Sequence, residues 1–367
     1  MSNESSKEQI TLTDEQQEVL KSIRTSRIVL PILIGIGVVV YLFLKEFDYQ
    51  DFNQISWSTK AWFWIGLSFT LLVIRHIAYA ARLRVLSEKA FTWKKCIELI
   101  FIWEFSSAVT PTSVGGSAVA FFVLSQEKLT AAKTATIVLY TVVLDTIFFI
   151  GTLPLLLLFI GPNMIRPELT SWENVDIWGY YFLFAYALMA VYGSVFYYGL
   201  FVNPKAIKRF LVGVTNNRLL KRFQQKARDL GEDMLIASKE MKNKKFSFHI
   251  SAFAATATAW SCRFLLLNCL IIALVTSVST DFWTQLGLYG RLEAMFIIIA
   301  FSPTPGGAGF VEGLFYPFVA DYVLNDTNAI IIATIWRSFT YYSYLLVGAV
   351  VIPNWIRQRL NQRNTKS

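Results

Sequence analysis

Six runs of apolar residues, at 28–44, 61–81, 134–160, 177–201, 248–276 and 329–352, dominate this chain. A bilayer-crossing helix takes roughly 20 residues, within a range of about 17–25, so each run is long enough to be a transmembrane helix. The composition agrees, because 16% of the residues are charged where a soluble domain carries about 25%. A water-soluble enzyme is thereby excluded. The net charge of +9 then reads as affinity for the anionic bilayer surface, and no nucleic-acid partner is expected. Cys96, Cys262 and Cys269 lie in apolar stretches with no CxxC spacing, a pattern that predicts neither a disulfide framework nor a metal site. The expected fold is an all-α polytopic membrane protein with about six transmembrane helices.

Loop charges set the expected orientation. The polar tail 1–27 reads as a short helix capped by Thr13, with Gln16 three residues on and Val19, Leu20 and Ile23 on one face. Segment 82–95 carries Arg82, Arg84, Lys89, Lys94 and Lys95 against Glu88, and 203–247 holds twelve Lys and Arg against four acids. Segments 45–60, 161–176 and 321–328 are acidic by comparison, and the tail 353–367 is basic. Positive-inside counting places both termini, 82–95 and 203–247 in the cytoplasm, and the acidic segments outside.

Two further apolar stretches, 96–124 and 287–320, are interrupted by Pro and Gly. Under this orientation both ends of the first are cytoplasmic and both ends of the second external, so neither is a simple span. Each reads as a re-entrant hairpin of two half-helices, a geometry that survives in a bilayer only against protein or a wet cavity. The interruptions resemble one another: Thr110-Pro111-Thr112-Ser113-Val114-Gly115-Gly116 and Ser302-Pro303-Thr304-Pro305-Gly306-Gly307. Arg75 lies 36 residues before Pro111 and Arg263 lies 40 before Pro303, while Asp145 and Arg337 each follow their proline by 34. The chain therefore reads as an inverted-topology repeat, 28–160 and 177–352, with 203–247 inserted in the second half. Such repeats underlie alternating access.

Charges inside the spans are candidate site residues, since each costs about 2.5–3.5 kcal/mol at mid-bilayer even on the lenient insertion scale. Arg263, in Trp260-Ser261-Cys262-Arg263-Phe264, is expected to face a cavity. Arg75 either joins it or snorkels to the cytoplasmic surface. The hairpin residues Thr110, Pro111, Gly115, Gly116, Pro303, Thr304, Gly306 and Gly307 are expected to bring backbone and half-helix termini to a ligand. Glu312 is either a ligand contact or a first-turn cap. Asp145, Arg337 and Glu104 are expected in coupling or structural ion pairs, the first two with each other, with a proton-carrier role open to Glu104. His76 and His249 read as packed or hydrogen-bonded side chains.

No GxSxG, HExxH, Walker A or strand-borne GxGxxG occurs, so no enzyme activity, metal or cofactor is expected. In the insertion, Leu219, Leu220, Phe223, Ala227, Leu230 and Met234 recur at helical spacing among basic residues. That pattern suits a helix on anionic lipid, or one covering the cytoplasmic face of the bundle.

Ser302-Pro303-Thr304-Pro305-Gly306-Gly307-Ala308-Gly309-Phe310-Val311-Glu312, together with Asp145 and Arg337 in the spans after the two hairpins, resembles the transmembrane region of lysylphosphatidylglycerol synthases. That family includes standalone flippase-like proteins, and the likeness extends over about residues 25–355. The first hairpin departs from the family pattern, with Gly116-Ser117 and Ala120-Phe121 where members carry Gly-Glu and an Arg, and Tyr140-Thr141-Val142 lacks the Arg expected before the Asp. In the synthases a separate soluble domain transfers the aminoacyl group, and the longest polar segment here, 203–247, is too short to be one. The resemblance implies a lipid flippase or transporter for an anionic or phosphate-containing lipid, in the cell membrane. Two alternatives fit the same repeat: a secondary transporter of a small soluble anion, and a non-catalytic subunit presenting a lipid carrier to a soluble glycosyl- or aminoacyltransferase.

Overall fold

In the computed structural model, which describes Tyr41, Leu44 and residues 48–110, 112–127, 129–217, 221–302, 304, 306–307, 309–323 and 325–364, no strand occurs among the described residues. Most of the expected first span and the Thr13 helix lie outside them. The helices are α1 (Tyr49–Gln54), α2 (Thr59–Leu86), α3 (Trp93–Val109), α4 (Thr112–Ser125), α5 (Ala131–Ile160), α6 (Ile177–Tyr197), α7 (Pro204–Thr215) and α8 (Gln224–Met241). They continue as α9 (Phe246–Leu274), α10 (Phe282–Ile299), α11 (Phe310–Val323), α12 (Asp326–Arg337) and α13 (Ser343–Asn364). A π-helical turn, Tyr198–Val202, extends α6, and another, Ser338–Tyr342, joins α12 to α13. Among the described residues, five helical segments are long and apolar enough to cross a membrane: Thr59–Leu86, Ala131–Ile160, Ile177–Val202, Phe246–Leu274 and Asp326–Gln358. The protein is an all-α polytopic membrane protein.

Four of these five spans begin where a polar cap meets an apolar run, α9 alone starting after Lys245 without a side-chain cap. Ser58 accepts from the Ala61 amide at 3.3 Å, Thr130 from Lys133 at 3.2 Å, Asp176 from Gly179 at 2.8 Å and Asn325 from Asn328 at 2.8 Å. These side chains satisfy amides that the first helical turn leaves without partners.

Both Pro/Gly-broken stretches fold back on themselves. Helices α3 and α4 pack side by side, as do α10 and α11. The outer ends of the first pair are tied together by Lys95–Glu127 at 3.0 Å, and Glu127 also accepts from Trp355 Nε1 at 2.8 Å. Lys133 and Lys244 both pair with Glu88 and with Glu240, joining the 82–95 turn, α5, α8 and the turn before α9 at that end. At the other end the Asp48 amide donates to Thr327 Oγ1 at 2.9 Å, tying α1 to α12. Basic loops thus gather at one end and acidic loops at the other.

Packing repeats in exchanged pairs. Helices α2 and α9, the two Arg-bearing spans, form the most extensive interface; α3 packs on α13, and α10 packs on α5. Each hairpin's first arm therefore leans on the last span of the other half. Two apolar cores result. One, around Leu99, Phe105, Ile137 and Met234, contains the first hairpin; the other, around Leu153, Leu270, Ile298 and Phe318, contains the second.

The insertion differs from the single helix expected over 219–234. It forms α7 and α8, and Leu219 and Leu220 lie outside the described residues. Ala227, Met234, Ala237 and Met241 of α8 are buried against the bundle. That apolar face is satisfied by protein, so α8 covers the end of the bundle.

Candidate functional site

Between the two cores lies a cavity of about 540 Å³. The hairpin breaks form part of its wall: Ala108 and Thr110 from the first, and Ser302, Thr304, Gly306 and Gly307 from the second. They meet closely, because a Cβ built on Gly306 would come within 2.8 Å of Ala108 O and 2.4 Å of the Tyr341 ring. Gly306, Gly307 and Gly309 hold φ of +58°, +69° and +81°, the left-handed region that costs other residues about 1–2 kcal/mol. Thr304 and Ser302 hydroxyls bond each other at 2.9 Å. The π-helical turn after α12 adds Thr340 and Tyr341 to the lining.

Spans α2, α5, α9 and α12 and the hairpin helices α3 and α11 contribute the charges. Arg82 Nη1 donates to Asp145 at 2.5 Å, and Trp260 Nε1 donates to the same carboxylate oxygen at 2.9 Å. Arg75, 1% exposed, donates to Glu104 at 2.5 Å and to Tyr344 Oη at 3.2 Å. The Tyr79 ring lies between the two guanidiniums, 5.1 Å from that of Arg75 and 4.8 Å from that of Arg82. Arg337 donates from Nε to Glu312 at 2.8 Å and from Nη1 to Gly306 O at 3.1 Å, with its guanidinium 3.9 Å from the Tyr341 ring centroid. Arg263 differs from the other three. Among the described residues no carboxylate pairs with it, and its guanidinium rests against Phe296 at 4.7 Å and Trp260 at 5.4 Å. Counting Arg75, Arg82, Arg263 and Arg337 against Glu104, Asp145 and Glu312 leaves one positive charge over, that of Arg263. Such a site favours an anion, which guanidinium binds as a planar two-pronged donor.

Most of the remaining lining is apolar, and one side of it continues onto the outer surface. Leu188 and Tyr192 of α6 line the cavity yet are 43% and 41% exposed. They prolong the exposed row of Tyr180, Phe184 and Val191 on the same helix.

Several sequence expectations are corrected by these contacts. Asp145 and Arg337 do not pair, because Arg82 and Glu312 are nearer partners on adjoining helices. Arg75 neither snorkels nor lines the cavity; it is held in the interior by an ion pair with Glu104. Glu312 serves as the cap, its Oε2 accepting from the Gly309 amide at 2.8 Å, and it lies behind the lining. Gly115 and Gly116 are inside α4 instead of at a turn, since the helix resumes at Thr112. Pro111 and Pro303 lie outside the described residues. His76, as expected, is hydrogen-bonded, to Tyr344 Oη at 3.1 Å and Ile97 O at 3.2 Å.

Arg82 is the residue that loop-charge counting missed. Counted as a loop charge, it belongs to α2, which runs on to Leu86. Its spacing held a signal, because Arg75, Tyr79 and Arg82 follow one another at i, i+4 and i+7 on one helix face.

A model of the lysylphosphatidylglycerol synthase TM region matches residues 28–348, taking in every cavity-lining residue from Tyr79 to Tyr341. The chain belongs to this family. A UPF0104 membrane protein of Archaeoglobus fulgidus is 22% identical over 345 residues, covering 87% of this chain and 95% of the relative. No solved structure matches. The match to the synthase TM region stops short of residues 349–367, so the charged cavity and both hairpins lie within the shared part.

Proposed function

We propose that this protein is a membrane lipid transporter, a flippase moving a polar lipid with an anionic headgroup between leaflets by alternating access of two inverted repeats. The observation that carries this reading is Arg263, a guanidinium without a carboxylate partner in a cavity whose other charges are paired. The headgroup binds Arg263 and the hydroxyls of Thr304 and Tyr341, while its chains leave past Leu188 and Tyr192 into the bilayer. The exchanged packing of α3 on α13 and α10 on α5 supports the repeat, since swapping two such arrangements opens opposite sides. Membership of a synthase TM family supports a lipid over a soluble anion. In this reading the hairpins re-enter the bilayer, the basic end with both termini faces the cytoplasm of the cell membrane, and 203–247 meets anionic lipid there.

The test is reconstitution in vesicles of phosphatidylcholine and phosphatidylglycerol containing a fluorescent phosphatidylglycerol, with translocation read by quenching from outside. Loss of a charge-assisted hydrogen bond of about 1.5–3 kcal/mol corresponds to roughly 10–100-fold in rate. Arg263→Ala should fall by that much and Arg263→Lys by less, both with an unchanged Tm. Wild-type rates in Arg263→Ala would refute the site.

A further inference from the structure

Glu293 is the one carboxylate among the described residues of the bundle interior that the charge network above leaves unused. It is 0% exposed, and its Oε2 has no hydrogen-bond partner. No cation pairs with it among the described residues. Arg291, on the same helix, points away to Asp321 at 3.0 and 3.3 Å and to Phe318 O at 3.0 Å on α11. Arg263 on α9 lies over Phe296 and Trp260. The groups that do face Glu293 are hydroxyls: Thr152 on α5, in direct contact, with Tyr186 on α6 and Tyr289 on α10 close enough to sense its charge.

Proton counting decides the state of this group. Thr152 Oγ1 touches both Glu293 Oε1 and Phe148 O, the latter at 2.8 Å. A hydroxyl has one proton, and a carbonyl and a carboxylate both only accept. With an ionised Glu293 one of the two contacts has no hydrogen, and a bare charge is left in an apolar site. With a protonated Glu293 the acid donates to Thr152, Thr152 donates to Phe148 O, and nothing is left charged.

The position links this proton to the cavity. Thr152 lies seven residues, two turns, beyond the lining residue Asp145 on α5. Phe149 and Phe296, three residues from Thr152 and Glu293 respectively, stack 5.7 Å apart and both line the cavity. Arg263 rests on that same Phe296. An anion that draws Arg263 off the ring therefore acts on the wall that separates Glu293 from the cavity, on the arm of the glycine-jointed second hairpin.

We propose that Glu293 is the proton carrier of this transporter, taking one proton from water on one side and releasing it to water on the other in each cycle. The inference rests on the transport reading and adds its driving force. Glu293→Gln keeps the size and the hydrogen bond to Thr152 but cannot exchange a proton.

The full-length protein in the same vesicles tests this with an imposed pH difference. One proton per lipid shifts the steady-state distribution of fluorescent phosphatidylglycerol about tenfold per pH unit. Wild type should show that shift, and Glu293→Gln should still equilibrate the lipid while ignoring the gradient. Infrared spectroscopy of the purified protein supplies a readout independent of transport: a protonated-carboxyl stretch at neutral pH in wild type, absent from Glu293→Gln. A wild-type distribution indifferent to the gradient, a Glu293→Gln variant as sensitive as wild type, or spectra without the difference would each overturn the assignment. Wild type that moves no lipid at all, with the infrared band present, would instead bring down the transport reading.

Discussion

The two hairpins share a plan and differ at the joint. The first runs 17 and 14 residues in its arms and the second 18 and 14, and both present their breaks to one cavity. In the first, the helix ends at Val109 and resumes at Thr112, and its glycines are ordinary helical residues. In the second, ten residues from Ala300 to Gly309 separate the arms, and three glycines hold left-handed backbone. That second joint is clamped from both sides: Glu312 holds the Gly309 amide, Arg337 holds Gly306 O, and the two side chains hold each other. Similar Pro/Gly strings thus produce a short interruption in one half and a moulded backbone in the other. The neighbours decide which, because a buried ion pair fixes the second loop.

Removing the clamp should have the largest effect on this difference. Glu312 and Arg337 side chains are 2% and 6% exposed, and truncating one partner of a buried pair costs about 3–5 kcal/mol. Glu312→Ala is expected to lower stability by that amount in denaturant titration. The double variant Glu312→Ala/Arg337→Ala should recover part of it, since no charge is then left alone. Equal loss in the double variant would mean that the two side chains act separately.

Much of this architecture was legible in the sequence, for a physical reason. Apolar runs beside Ser58, Thr130, Asp176 and Asn325 mark helix starts in any environment, because the cap is a local interaction. The Pro/Gly strings marked where α3 gives way to α4 and α10 to α11. Partner choice was not legible. Asp145 with Arg82, and Glu104 with Arg75, are contacts between different helices, and sequence spacing carries no information on how helices are rotated against one another. The matched spacing of Asp145 and Arg337 along the chain did not make them neighbours, since each pairs with a residue on another helix. Arg291 and Glu293 stood in plain view inside an apolar stretch, where their charge alone marked them.

The joint itself is tested next, with a smaller effect. Gly306→Ala places a Cβ at 2.4 Å from Tyr341 and 2.8 Å from Ala108 O, on backbone with φ +58°. Left-handed strain and overpacking together cost about 2–4 kcal/mol. Tyr341 is a side chain and can shift, whereas Ala108 O belongs to the first hairpin's backbone. The variant should therefore push the hairpins apart and lose lipid translocation as well as stability. Gly306→Ala/Tyr341→Ala would relieve the ring contact alone, and full recovery of stability in it would place the whole stability cost on Tyr341 instead of on hairpin contact.

The smallest expected change has the opposite sign and bears on the first hairpin. Gly115 lies within α4, with helix continuing for three residues before it and ten after it. Glycine at such a position is less stable than alanine by about 0.5–1 kcal/mol, since alanine leaves the unfolded chain fewer conformations to lose. Gly115→Ala should accordingly raise stability by that amount or leave it unchanged, with lipid translocation retained. The contrast with Gly306→Ala is the informative quantity: the same added methyl group, in matching motifs, should stabilise one half of the repeat and damage the other. A loss of transport in Gly115→Ala without a loss of stability would show that the first hairpin also brings backbone against the substrate, restoring to Gly115 the ligand role its sequence first indicated and making the two joints functionally alike despite their different backbones.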